Sequence, residues 1–87
     1  MPHERLESAS EELHAAVESA DGEQRDRLER QADQLAALAE TGADHGRLAR
    51  HENTLREVKT KADDDVAARI AAAMDAITAY RETIEGV

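Results

Sequence analysis

The sequence predicts an all-α protein, an antiparallel bundle of about four helices formed by two tandem helical hairpins. Three observations predict it. Apolar residues recur at helical spacing along nearly the whole chain, only five of 87 residues are Gly or Pro, and no segment alternates apolar and polar as a strand does. The large apolar side chains number 17, and a further 18 residues are Ala, so the core is thin and requires dense helix packing or a partner chain. A chain of this length accommodates one domain, residues 1–87.

The first helix is expected from about His3 to Ala20, with Leu6, Ala9, Leu13, Ala16, Val17 and Ala20 on one stripe. Asp21-Gly22 stops it. Asp21 is also placed to cap the second helix, with Gln24 three residues on completing a capping-box-like pair. Leu28, Ala32, Leu35, Leu38 and Ala39 form the second stripe, and Thr41-Gly42-Ala43-Asp44 supplies a glycine stop and a fresh cap. The third helix, about His45 to Lys61, buries Leu48, Leu55, Val58 and Ala62. Lys59 and Lys61 fall in its last turn, where cations complement the helix dipole. Asp63-Asp64-Asp65 then puts a cap and two acids at the start of a fourth helix, which carries Val66, Ile70, Met74, Ile77, Tyr80 and Ile84 toward Gly86.

Shifting the chain by 42 residues aligns it with itself. His3, Arg5, Leu6, Leu13, Ala20, Asp21, Arg27, Asp33, Ala37, Glu40 and Thr41 meet the same residue types at His45, Arg47, Leu48, Leu55, Ala62, Asp63, Arg69, Asp75, Ala79, Glu82 and Thr83. These are 11 identities over 39 positions, where the composition alone gives roughly 4. A heptad-patterned chain would align its leucines at this shift, but seven of the identities are polar and heptad phase does not require them. An internal repeat of about 3–41 and 45–83 is therefore expected, each copy a hairpin with one apolar stripe to cover. The alternative is a pair of longer helices. Leu13 to Leu28 and Leu55 to Ile70 are each separated by 15 residues, which a continuous helix tolerates as a slow right-handed drift, so the hairpins could straighten and pair as a coiled-coil dimer.

Twenty Asp and Glu against nine Arg and two Lys give a net charge of −9, and Phe, Trp and Cys are absent. Without cysteine there is no disulfide framework, thiolate metal site or cysteine nucleophile. A small Ala-rich core under a dense carboxylate surface suits molar salt, where screening shrinks to about 3 Å and like charges scarcely repel. The expected setting is a halophile's cytoplasm. The N-terminus lacks a basic start followed by an apolar run, and no uncharged stretch exceeds six residues, Ile70 to Met74 being five, so neither a signal peptide nor a membrane span is expected.

The chemistry-bearing residues do not form familiar constellations. His3 and His14 are 11 apart and His45 and His51 are 6 apart, not the three or four that zinc wants on one helix. His3 and His45 share a repeat position, which leaves a paired site at one end of the bundle conceivable. Glu11 and His14 form one Glu-x-x-His pair, where a di-metal bundle site needs two. Glu11, Glu18, Glu29, Asp33, Glu52, Glu57 and Asp75 lie mostly off the stripes, as a solvated face does. Arg25, Arg27, Arg30, Arg47, Arg50 and Arg56 are the densest basic group, but Asp26, Glu29, Glu52 and Glu57 interleave them, so ion pairs at three and four residues are the expectation rather than a nucleic-acid surface. Tyr80, the only aromatic, is expected at the core edge with its hydroxyl in water. No metal or other cofactor is implied.

The second half carries a resemblance. Gly46-Arg47-Leu48, Leu55-Arg56-Glu57-Val58, Asp64-Asp65-Val66, Ile70 to Ala76, Ile77-Thr78-Ala79-Tyr80-Arg81 and Glu85-Gly86-Val87 resemble the small acidic helical proteins of unknown function found in haloarchaea. The likeness spans roughly residues 44–87 and only loosely the first half. It implies a helical fold and a salt-rich environment, and it transfers no activity to any residue.

The expected function is a non-enzymatic helical module acting by self-association or by binding another helical protein. Its interaction stripe is Leu6, Leu13, Leu28, Leu35, Leu48, Leu55, Ile70, Ile77, Tyr80 and Ile84. The alternative is a nucleic-acid-linked regulator, reading DNA through the arginine cluster or mimicking DNA charge.

Overall fold

The structure, a computed structural model, describes residues 3–84. It holds four helices: α1 Glu4–Val17, α2 Gly22–Thr41, α3 His45–Thr60 and α4 Asp64–Arg81. Short turns reverse the chain after each, giving an up-down-up-down bundle measuring 37 × 21 × 17 Å. The straightened alternative does not occur in this chain, because it breaks between α1 and α2 and again between α3 and α4. The expected end of the last helix near Gly86 lies outside the described residues; the helix itself stops at Arg81.

Each stop has a local cause. The first helix ends at Val17, earlier than Ala20, because the chain tightens there: the amides of Glu18, Ser19 and Ala20 donate to the carbonyls of Ala15, Ala16 and Val17, each three residues back. Ala20 remains buried below this turn. Gly42 closes α2 at φ 81° and ψ 168°, a region reserved for glycine, and its N–H donates to Leu38 O. Asp44 caps α3, its Oδ1 accepting from the Arg47 N–H at 2.8 Å. Asp21 and Asp63 hold the N-cap positions of α2 and α4 without side-chain capping bonds. The expected Asp21–Gln24 capping box does not form. Gln24 instead donates its Nε2–H across the bundle to Lys61 O at 3.4 Å.

The core draws equally on both halves. Leu6, Leu13, Leu28 and Leu35 from the first, with Leu48, Leu55, Ile70 and Ile77 from the second, have no solvent exposure at all. Burial of each such side chain contributes about 1.5–3 kcal/mol. Ala9, Ala16, Ala32 and Ala73 are also enclosed, and small residues there let neighbouring backbones approach. Ser10 would be an unsatisfied polar group in α1, but its hydroxyl donates to Ala32 O of α2 at 2.8 Å.

The four seams are unequal. α1 packs closely on both α2 and α4, α3 packs on α4 less extensively, and α2 barely approaches α3. A thin core would leave that last seam empty. Long polar side chains span it instead: Gln31 to His51, Arg27 to Glu57, and Gln24 to Lys61 O.

Candidate functional site: the groove between α2 and α3

The periodicity of α2 and α3 lays two rows of residues along the open seam. Gln31, Gln34 and Leu38 follow one another at three and four residues on α2; Arg47, Arg50, His51 and Thr54 do so on α3. With Ala37 they line an open groove of about 500 Å³. Its floor is the Gln31–His51 pair, both residues 9% exposed, with His51 Nδ1–H donating to Gln31 Oε1 at 2.6 Å. Burial, and then the nearby Arg47 charge, holds the His51 ring below its ordinary value of 6.5, so it is neutral at pH 7.

Why this seam opened and its counterpart closed is written in four residues. The positions 42 residues from His51 and Gln31 are Ala9 on α1 and Ala73 on α4, both fully enclosed, and those two helices pack closely. Two methyl groups permit close approach; an imidazole and a carboxamide hold the backbones apart. The bundle thus has one closely packed seam, α1–α4, and one propped polar seam, α2–α3.

The charges of the groove are as distinctive as its shape. Its lining contains two arginines and no Asp or Glu, in a chain with 20 acids. Neither Arg47 nor Arg50 has an ion pair among the described residues. This corrects the expectation that the arginine cluster is spent on carboxylates three and four residues away. Arg27 pairs with Glu57 across the helices at 3.4 Å, and Arg56 donates to Asn53 Oδ1 at 3.0 Å. No i,i+3 or i,i+4 ion pair occurs among the described residues, and such exposed pairs on a helix contribute only about 0.3–0.5 kcal/mol.

The expected interaction stripe is not at this groove. Leu6, Leu13, Leu28, Leu35, Leu48, Leu55, Ile70 and Ile77 all lie in the chain's own core, fully enclosed; Tyr80 is 8% exposed and Ile84 is half-buried against that core. Folding of one chain covers the eight fully enclosed side chains, so in the closed bundle those eight offer no surface to a partner. The Tyr80 hydroxyl is not left to water either. It accepts from the Ala43 N–H at 3.3 Å and lies 3.3 Å from His3 Nδ1, tying the start of α1 and the end of α4 to the α2–α3 turn.

The remaining polar residues take two forms. Glu11, Glu18, Glu29, Asp33, Glu57 and Asp75 are exposed, as their off-stripe positions predict. Glu52 departs from that pattern, its side chain only 13% exposed and paired with Arg81, whose Nε–H donates to His45 Nδ1 at 3.1 Å. That bond puts the His45 proton on Nε2, which is enclosed and has no partner among the described residues. His3 and His45 therefore serve separate contacts, with Tyr80 and Arg81, rather than one paired site. Among the described residues no group of three or more His, Cys, Asp and Glu is placed to hold a metal, and no helix is long and apolar enough to cross a membrane.

Sequence reasoning missed Gln31 and His51, the residues that make the groove. Their signal was available: both sit at core positions of their helices, in line with Leu28 and Leu35 on α2 and with Leu48 and Leu55 on α3. A model described as a family of unknown function, DUF7553, matches residues 1–83. No curated protein and no solved structure matches the chain.

Proposed function

The chain belongs to this family of unknown function, DUF7553, and from its own geometry we propose that it is a non-enzymatic helical interaction module whose binding face is the α2–α3 groove. The observation that carries the reading is the propped seam: a groove of about 500 Å³ edged by two arginines without acid partners among the described residues. The enclosed Leu and Ile side chains belong to the scaffold that holds this face, so self-association or partner binding proceeds on side chains outside the core.

A photo-crosslinking residue in place of Gln34, at the groove rim, tests this in cytosol of the native salt content. The expected result is one discrete adduct that is lost when Arg47→Gln and Arg50→Gln are added and is absent when the crosslinker replaces exposed Asp75. Equal labelling from both positions, or none from either, rejects the reading. Sedimentation of the same samples separates self-association from a foreign partner.

The acid excess supports a halophilic cytoplasm, and with it a haloarchaeal source, since the exposed carboxylates repel one another in dilute buffer and are screened in molar salt. Helical circular dichroism that does not change between dilute buffer and molar KCl would refute this. The regulator reading, in which the chain engages DNA or replaces it on a basic protein, draws on Arg47 and Arg50, unpaired among the described residues, for the first and on the acid excess for the second.

A further inference from the structure

We infer that the α2–α3 groove recognises the carboxylate side chains of an acidic peptide segment, with Arg47 and Arg50 as the anchoring groups. The inference rests on the interaction-module reading and specifies the chemistry of its partner.

Charge complementarity carries the argument. The net charge of the chain is −9, yet the groove lining is locally positive, with two guanidiniums, no carboxylate and a neutral imidazole. Arg47 and Arg50 are three residues apart on α3, so they stand on one face of the helix and over one edge of the groove. Gln34, on the opposite edge, and Thr54, one turn beyond Arg50, add an amide and a hydroxyl donor. Each guanidinium presents a planar fork that fits a carboxylate through two parallel hydrogen bonds. That geometry matters in molar salt, where screening to about 3 Å abolishes steering from afar and leaves only contact interactions effective. Leu38 and Ala37 provide an apolar strip on which the aliphatic part of a Glu side chain can lie.

Polyanions fit less well. A protein that holds nucleic acid by its backbone typically neutralises about 6–10 phosphates, whereas this groove offers two cations. A short acidic segment presents the matching number of charges at side-chain spacing.

The test is a titration of the isotope-labelled protein in molar KCl, followed by amide NMR. The probes are a Glu-rich peptide, the same peptide with Gln for Glu, inorganic phosphate, and a short DNA duplex. Saturable shifts confined to Gln34, Arg47, Arg50 and Thr54 are expected with the Glu peptide and not with the Gln peptide. Arg47→Gln with Arg50→Gln should weaken binding by at least about tenfold, with an unchanged melting temperature, since both side chains are exposed and free of ion pairs among the described residues. Arg25→Gln, away from the groove lining, should leave binding unchanged. Equal binding of the two peptides, indifference to the double substitution, or preference for phosphate or DNA overturns the inference. The same shifts on concentrating the protein alone would make the occupant a second copy and overturn the assignment to a separate partner. If crosslinking from Gln34 succeeds while the Glu peptide does not bind, the interaction module stands and only its carboxylate chemistry falls.

Discussion

Replacing Gln31 and His51 by Leu, singly and together, probes the seam on which the site depends. Gln31→Leu removes the acceptor for His51 Nδ1–H, a bond of 2.6 Å between two residues each 9% exposed. An enclosed ring N–H left without a partner costs about 1–3 kcal/mol, and His51→Leu strands the Gln31 carboxamide at a similar cost. In the double variant both polar groups are gone and two apolar side chains of comparable bulk meet, so the net change should be near zero. The coupling between the positions is then at least about 2 kcal/mol and stabilising. For a domain of this size each 1 kcal/mol shifts the melting temperature by about 4–8 °C. Each single variant should therefore melt roughly 4–24 °C below the parent, with the double variant within a few degrees of it. Thermal melts by far-UV circular dichroism in molar KCl read this directly. If the two single effects simply add in the double variant, the pair is not the strut of the α2–α3 seam.

Three further outcomes follow from single contacts. The depressed His51 value means that the unfolded chain takes up a proton near pH 6.5 while the folded chain does not, so stability should fall as pH drops below 6.5 and level off below the folded value; urea titrations should show this decline reduced in the Gln31→Leu, His51→Leu double variant. Gly42→Ala should cost about 1–3 kcal/mol, since φ is 81° with ψ 168° and a Cβ would meet His3 Cε1 at 3.0 Å and the Tyr80 hydroxyl at 3.1 Å. Gly22→Ala, at φ 57° with nothing within 4 Å, should cost only about 1 kcal/mol, and equal losses in denaturant melts would reject the packing part of that account. Asp44→Ala should cost about 1 kcal/mol. Asp21→Ala and Asp63→Ala should each cost less in the same melts, because neither side chain accepts a capping bond.

Much of this molecule is legible in one dimension. The helical period of Leu6, Leu13, Leu28 and Leu35, continued by Leu48, Leu55, Ile70 and Ile77, identifies the core, and all eight are fully enclosed. Gly42 and Asp44 mark the α2–α3 turn by local chemistry alone, a positive φ and a side-chain cap. Helix ends that depend on the rest of the bundle are less legible. Gln24 has a local capping role available, yet it bonds to Lys61 O because the fold brings that carbonyl within reach. Tyr80 likewise finds Ala43 and His3, respectively 37 and 77 positions away in sequence.

The sequence by itself determined the helices, their turns and the apolar face of each, since period, glycine placement and capping act over a few residues. Only the tertiary structure decided which seams close and which stays open. That choice depends on side-chain volumes meeting across helices, as His51 and Gln31 do between α2 and α3, and no local pattern encodes which residues will meet. It also decided which charges pair among the described residues, because Arg27–Glu57, Arg69–Glu12 and Arg81–Glu52 each join two different helices. The groove and its two cations, unpaired among the described residues, are therefore products of the bundle, built from residues whose helical positions the sequence had already set.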